Sequence, residues 1–333
     1  MEVWHLTPPS IHGIESVAAD AEAWGFDGLA LTDSQNQSPD TYVALTLAAR
    51  ATSTLKLGPG VTNALTRHPA VTAGAIASLQ EASDGRAMLG IGRGDSSLFN
   101  IGHKPVGLAA FEAYLRDVQI YLSGGTLDAE GYDSTLKWLP NSKQGKVPLD
   151  VAATGPKVIA IGARHAERVS FSVGAEPERV SWAMAHVRET LGPDAKLPEM
   201  GLYLNVCVDD DVERAAEMAR GWVGIFAHFT GMPGATRNRV RQSDHLTFDR
   251  LGDYDKPRHG RPDAAHAQAL PQEFIERFAV IGPPSVCVEK LKALRDLGVH
   301  RIMITFPRTD QFGDAARHAT ERFARDVLPE IRQ

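Results

Sequence analysis

Cysteine is nearly absent from this sequence, with two in 333 residues, Cys207 and Cys287. So few thiols cannot staple a secreted scaffold, so both read as reduced packing residues and the expected compartment is the cytoplasm. Runs of lysine or arginine are missing too, and 35 basic against 41 acidic residues give a formal net charge of −6. Non-specific nucleic-acid binding needs a concentrated basic surface, so no nucleic-acid partner is expected. No apolar stretch approaches the roughly 20 residues of a membrane span. Residues 1–7 lack the basic-then-apolar order of a secretory leader, so the expectation is a soluble protein with no membrane partner. Metal and hydrolase signatures are likewise missing: there is no H-E-x-x-H, no paired-cysteine spacing and no G-x-S-x-G elbow. No metal is expected. His68, before Pro69, reads as a cap or turn residue, and His245, His259 and His266 fall in a polar stretch where they are expected to be solvated.

What is present is a rhythm. Hydrophobic residues make up 43% of the chain, enough for a sizeable packed core. Short β-rich runs at 3–6, 28–32, 55–61, 87–92, 149–153, 168–173, 201–208 and 301–306 alternate with helical patterns. Ser38-Pro39, His68-Pro69 and Gly155-Pro156 read as helix starts with proline in the first turn, and Asp209 as an acid-started helix. Alternation of this kind requires a parallel sheet covered by helices. Eight units in one chain favour closure, so the fold class expected is α/β, a (β/α)8 TIM-type barrel. One domain over 1–333 is expected, with insertions at about 123–147 and 230–270. The first insertion is expected to hold a small hairpin around Leu136 and Trp138, and the second to be irregular.

Barrel enzymes carry their chemistry on the loops leaving the carboxyl ends of the strands. The sharpest signal there is Leu89-Gly90-Ile91-Gly92-Arg93-Gly94-Asp95-Ser96. Glycines on alternate positions leave one face of a strand end bare for a flat ligand, and Arg93 offers a fork for phosphate. The alternative is a strand bend where neighbours pack tightly. The spacing is neither a dinucleotide fingerprint nor a P-loop. Ala153-Thr154-Gly155-Pro156-Lys157 ends a strand and starts a helix at once, giving an anion site or an ordinary cap. Gly58-Pro59-Gly60-Val61-Thr62-Asn63 implies unusual backbone at the third strand end. Asp33 closes an apolar strand, where an isolated aspartate is more often a cap.

These segments, with Thr66-Arg67-His68-Pro69, Phe171-Ser172-Val173-Gly174-Ala175 and Phe278-Ala279-Val280-Ile281-Gly282, resemble the luciferase-like superfamily. The branch they resemble is the F420-dependent, methylenetetrahydromethanopterin-reductase-like one. That resemblance implies a non-proline cis peptide at Gly60–Val61 behind an isoalloxazine-type ring. It also implies that Asp33 contacts the ring's polar edge and that Arg93, Thr154 and Gly155 bind phosphate. Asn63, Gly92, Ala153, Val173 and Gly174 complete the implied cofactor slot. Asp95 stands where relatives often carry a glutamate near the reacting face, one methylene longer. Candidate proton donors are His5, Asp95 and His228.

The expected activity is hydride transfer between F420 and a small organic substrate. A homodimer, and indirectly a cofactor-reducing enzyme, are the implied partners. Three alternatives stay open: an FMN-dependent monooxygenase supplied with reduced flavin by a partner, a non-catalytic flavin- or deazaflavin-binding protein, and an unrelated barrel hydrolase.

Overall fold

The computed structural model describes residues 1–232, 241–251 and 254–333. Parts of the expected second insertion, 233–240 and 252–253, lie outside the described residues. Eight strand positions run parallel: β1 Glu2–Thr7, β2 Gly28–Leu31, β3 Lys56–Pro59, β4 Leu89–Gly92, β5 Leu149–Ala153, β6 Arg168–Phe171, β7 Glu199–Val208 and β8 Arg301–Thr305. Neighbours follow the order β3-β2-β1-β8-β7-β6-β5-β4. A parallel bridge between Leu57 and Ala87 joins β3 back toward β4. Its hydrogen bonds run from Leu57 N to Arg86 O and from Met88 N to Leu57 O, both 2.9 Å. The barrel expected from the alternation is therefore the fold found.

Side chains alternate between lumen and helix shell, as period-two strands require. Trp4, Leu6, Ala30, Met88, Tyr203 and Met303 pack together inside. Val3, Leu29, Leu31, Ile302 and Ile304 pack outward against the helices. The lumen is not wholly apolar. Arg301 lies 2.8 Å from Asp150, and Ser170 donates to both Asp150 oxygens at 2.9 Å, all three residues being buried. Pairing and hydrogen bonding make such charges tolerable away from water.

Strand three is interrupted. After Pro59 the peptide Gly60–Val61 is cis, and Thr62–Asn63 resumes pairing against Ile91 and Gly92. The implied cis bond falls at the position expected for it.

Local starts differ in one place. The second helix, Thr41–Ala51, is capped by Asp40 and not by Ser38: its carboxylate accepts from Tyr42 N at 2.9 Å and Val43 N at 3.1 Å. The Ser38 hydroxyl instead donates to Ser34 O. His68 does cap Pro69–Ala82, its Nδ1 accepting from Ala70 N at 3.2 Å.

Both insertions need correcting. The hairpin in the first pairs Leu127–Ala129 with Tyr132–Ser134, upstream of Leu136 and Trp138. Glu130 and Gly131 both take positive φ, the turn that suits a two-residue hairpin. The second excursion is entered from the end of the helix that follows β7. Helix Val212–Gly231 buries Val223, Ile225 and Phe226 in the same cluster as lumen residues Leu6, Ala30 and Tyr203, so it lies over the strand-end mouth. A short strand, Val280–Gly282, then pairs parallel with Val206–Val208, where no strand was expected. Three residues are too few for a periodicity signal. No helix among the described residues is long and apolar enough to cross a membrane.

Candidate active site

At the ends of β2 and β3 the polar side chains bind one another. Buried Asp33 accepts from Thr62 Oγ1 at 2.7 Å, Arg67 Nη1 at 2.6 Å and Gln35 Nε2 at 2.8 Å. Arg67 also reaches Asp40 at 2.9 Å and sits 4.8 Å from the Tyr42 ring centroid. Asn63 accepts from Leu65 N and Thr66 N, both at 3.0 Å, and donates to Gln35 Oε1. Burial, and then the Asp33 charge, push the Tyr42 hydroxyl up. Asp33 therefore braces the third strand's broken end through Thr62 and Arg67. The Arg67 role was hidden in the sequence, because a partner 34 residues away leaves no local pattern.

The glycines of β4 divide into two kinds. A Cβ on Gly90 would land on the Pro59 carbonyl oxygen, so that glycine answers to strand crowding. On Gly92 a Cβ would meet Val61 Cγ2 at 3.2 Å and Ala152 Cβ at 3.9 Å. Val61 and Ala152 are half-buried apolar groups packed onto the lumen cluster, which makes a flat, uncluttered wall. Gly94 turns the chain with φ 77°, and the short helix Ser96–Phe99 follows. Arg93 Nε donates to Val106 O at 2.6 Å, and no other side-chain hydrogen bond of Arg93 occurs among the described residues.

Asp95 faces His228 across the mouth, Oδ2 to Nε2 at 3.4 Å, the side chains 13% and 14% exposed. That separation suits an ion pair, but Nε2 makes no formed hydrogen bond among the described residues. His228 sits in the last turn of Val212–Gly231, which the packing carries to the barrel mouth.

At β5 the helix Pro156–His165 begins with Gly155 as its N-cap residue and no side chain closing the cap. Its first backbone N–H groups are thus oriented at the end of β5, beside half-buried Thr154 and buried Ala153. Such a start attracts anions. Val173 and Gly174 are different. Val173 is fully buried, and the Phe278 ring covers Gly174, whose added Cβ would come within 2.7 Å of it. Ala175 N also donates to Phe278 O at 2.9 Å. The end of helix Gln272–Phe278 thus packs against that part of the expected slot.

Two lumen-facing groups near the mouth lack partners among the described residues: Ser172 Oγ and Asn205 Oδ1. Asn205 Nδ2 donates to Thr305 Oγ1 at 2.8 Å, which leaves its oxygen to accept. Buried polar atoms are normally bonded, so these two are where a ligand would supply the missing partner. Asn205 lies within the strand run 201–208 expected from the sequence. Ser172 lay in the expected strand run 168–173 and in one of the familial segments, but no role was drawn for it.

The structure does not bring His5 to this pair. Its ring packs 5.8 Å from Phe26 and 5.4 Å from Phe306, whose side chains belong to the outer core. Burial pulls its imidazole down to about 4. The histidines expected to be solvated are packed instead. His266 is buried, its ring 4.0 Å from that of Tyr254, and the Tyr254 hydroxyl bonds His259 Nδ1 at 2.7 Å. The polar composition of that stretch concealed an aromatic cluster. His245, at the start of helix His245–Arg250, and His259 are half-exposed.

The family model for luciferase-like monooxygenases matches residues 2–301. The chain belongs to that family. Among curated relatives, 5,10-methylenetetrahydromethanopterin reductase of Methanolobus tindarius is 28% identical, over 89% of this chain and 94% of that one. F420-dependent glucose-6-phosphate dehydrogenase of Beutenbergia cavernae is 26% identical, over 94% and 91% respectively. The solved structure of coenzyme F420-dependent tetrahydromethanopterin reductase from Methanopyrus kandleri superposes with a TM-score of 0.78 over 99% of both chains, at 23% identity. That likeness supports the barrel and its elaborations. The resemblance drawn from the motifs is thereby borne out.

Proposed function

We propose that this chain is an F420-dependent oxidoreductase that passes a hydride between the deazaflavin and a small organic substrate at the strand-end mouth. The observation that carries the reading is the facing pair Asp95 and His228, set beside the bare Gly92–Val61–Ala152 wall. Relatives over nearly the whole chain include F420-dependent enzymes, which supports the cofactor.

The residues present fit such a group. The uncapped start of Pro156–His165, with Thr154 and Gly155, would hold a phosphate by its N–H groups and dipole. The guanidinium of Arg93 beyond Nε would add charge there. Gly92, Val61 and Ala152 would lie against the flat ring, while Gly60 lets the broken strand sit close on Leu6 and Ala30, which a Cβ there would strike. Asp33 would act mainly as a brace, holding Thr62 and Asn63 of the same wall through its network. Ser172 and Asn205 would supply hydrogen bonds to the cofactor or the substrate. When bound, the deazaflavin supplies the two-electron chemistry, accepting or giving the hydride at its ring carbon.

The chain's own work is orientation, exclusion of water and proton handling. Hydride transfer at a carbon bearing oxygen or nitrogen leaves a proton to be placed on, or taken from, that heteroatom. Asp95 and His228 are an acid and a base within one ion-pair distance, and they would hold or receive it. The insertion over the mouth, through Phe226 and helix Val212–Gly231, would keep water from the ring.

The test is anaerobic: protein, F420 and a panel of alcohols, sugar phosphates and pterin-type one-carbon carriers, followed by F420 absorbance. Substrate-dependent bleaching without O2 consumption is the expected result. Turnover only with reduced FMN and O2 would overturn it.

A further inference from the structure

We infer that Tyr254 positions His228 against Asp95, and that His259 and His266 hold Tyr254 in place. The inference rests on the hydride-transfer reading, which makes Asp95 and His228 the proton-handling pair. Nothing in the contact between those two fixes the imidazole by itself, since Nε2 stands 3.4 Å from the carboxylate without a formed hydrogen bond. A histidine in the last turn of a helix keeps two free side-chain torsions, and something else must set its plane.

Tyr254 does so. Its ring stacks on that of His228 with centroids 4.1 Å apart and planes at 25°. His266 also packs against the Tyr254 ring, centroids 4.0 Å apart at 37°. The Tyr254 hydroxyl is anchored at 2.7 Å on His259 Nδ1, and the Tyr254 ring is 9% exposed. The stack is therefore held both by ring packing and at its polar tip. His266 Nδ1 accepts from Asp255 N at 3.3 Å, which fixes that ring as unprotonated on this nitrogen. Burial pulls His259 down to about 4, so the ring that holds the Tyr254 hydroxyl is neutral near pH 7. The charged groups facing the cluster are Asp95, Asp255 and Arg308. Uncharged aromatic rings pack this way because offset stacking suits their charge distribution and removes them from water together.

Three separate segments thus meet: the turn after β4 gives Asp95, the helix over the mouth gives His228, and the polar insertion gives Tyr254, His259 and His266. Tyr254 is a positioning residue, because it touches His228 and acts through it.

The test is nuclear magnetic resonance on the full chain with histidine labelled on its ring nitrogens and carbons, without cofactor. His228→Asn identifies the His228 signals by their loss. In the native chain and in Tyr254→Phe, the His228 ring protons are expected upfield, under the ring current of residue 254. In Tyr254→Leu that displacement is lost, while His68 and His186, remote from the cluster, keep their signals and report an intact fold. Asp95→Asn is expected to move the His228 Nε2 resonance most in the native chain, less in Tyr254→Phe, which keeps the stack and loses the anchor on His259, and not at all in Tyr254→Leu. His259→Ala, which removes the anchor and the ring packed edge-on to Tyr254, should also reduce that response. An equal response to Asp95→Asn in the Tyr254→Leu or His259→Ala background would overturn the inference, as would His228 ring protons unmoved by Tyr254→Leu. No cofactor enters these measurements, so failure of F420 to bind would strike the functional reading and leave this one standing.

Discussion

His228 and Asp95 meet across the mouth of the barrel, imidazole Nε2 to carboxylate Oδ2 at 3.4 Å, each side chain nearly closed off from solvent. One comes from a helix laid over the mouth and the other from the turn after the fourth strand. A facing acid and base that make no formed hydrogen bond to each other are placed to serve a third group.

From that arrangement, Asp95→Asn and His228→Asn should each slow hydride transfer by about 10²–10⁴-fold, the usual contribution of a positioned acid or base. F420 affinity should change by no more than a factor of a few, because neither side chain lies on the helix start proposed to hold phosphate. Single-turnover F420 reduction and a separate binding titration check the two halves. Equal losses in both would make the pair a binding element.

Asp33 carries a stability prediction. Its carboxylate offsets Arg67, a largely enclosed cation, and also bonds Thr62 and Gln35. Asp33→Ala leaves that guanidinium without its buried partner, at a cost on the order of 2–4 kcal/mol. Urea unfolding measures it. A loss under about 0.5 kcal/mol would show that Asp40 alone suffices for Arg67.

Gly90 and Gly92 should separate fold from function. Gly90→Ala drives a methyl into the Pro59 carbonyl, and the strands must part, costing about 1–3 kcal/mol or more. Gly92→Ala meets Val61 Cγ2 at 3.2 Å, which a small side-chain shift relieves. That variant should fold with little loss and bind F420 more weakly by about tenfold or more, equivalent to 1.4 kcal/mol. Thermal melting and F420 titration on both variants read the contrast.

His5 gives a pH dependence. Burial holds its folded-state imidazole near 4, below the ordinary value of about 6.5. The unfolded chain therefore binds the proton first. The stability linked to neutral His5 is fully present above about pH 6.5 and is lost as pH falls toward 4, by on the order of 2–3 kcal/mol. His5→Phe keeps an aromatic ring between Phe26 and Phe306 and should flatten that part of the stability profile. An unchanged slope between pH 6.5 and 4 would assign the acid sensitivity elsewhere, with His259 the next group to test.

Much of this was legible in the residues. Strand and helix periods gave the barrel, and Gly60-Val61 marked the broken strand, because alternation and glycine placement are local signals. The Asp33 brace was not legible, since its partners Thr62 and Arg67 are 29 and 34 residues away. Gly174 looked open because nothing near it announces that Phe278 folds back against it. Tyr254, His259 and His266 lie among Asp, Arg, Gly and Pro residues, and that composition reads as solvated loop until Tyr254 is seen packed on His228 and the two histidines on Tyr254. His5 failed in the opposite direction: a histidine at a strand end looks catalytic, but the pleat turned it outward.

The most direct measurement is a comparison of F420 and FMN binding to the purified chain by fluorescence quenching. Hydride transfer to a deazaflavin predicts F420 binding at least about tenfold tighter than FMN, and weaker for Gly92→Ala. FMN binding as tight as F420 or tighter, unaffected by Gly92→Ala, would contradict the account.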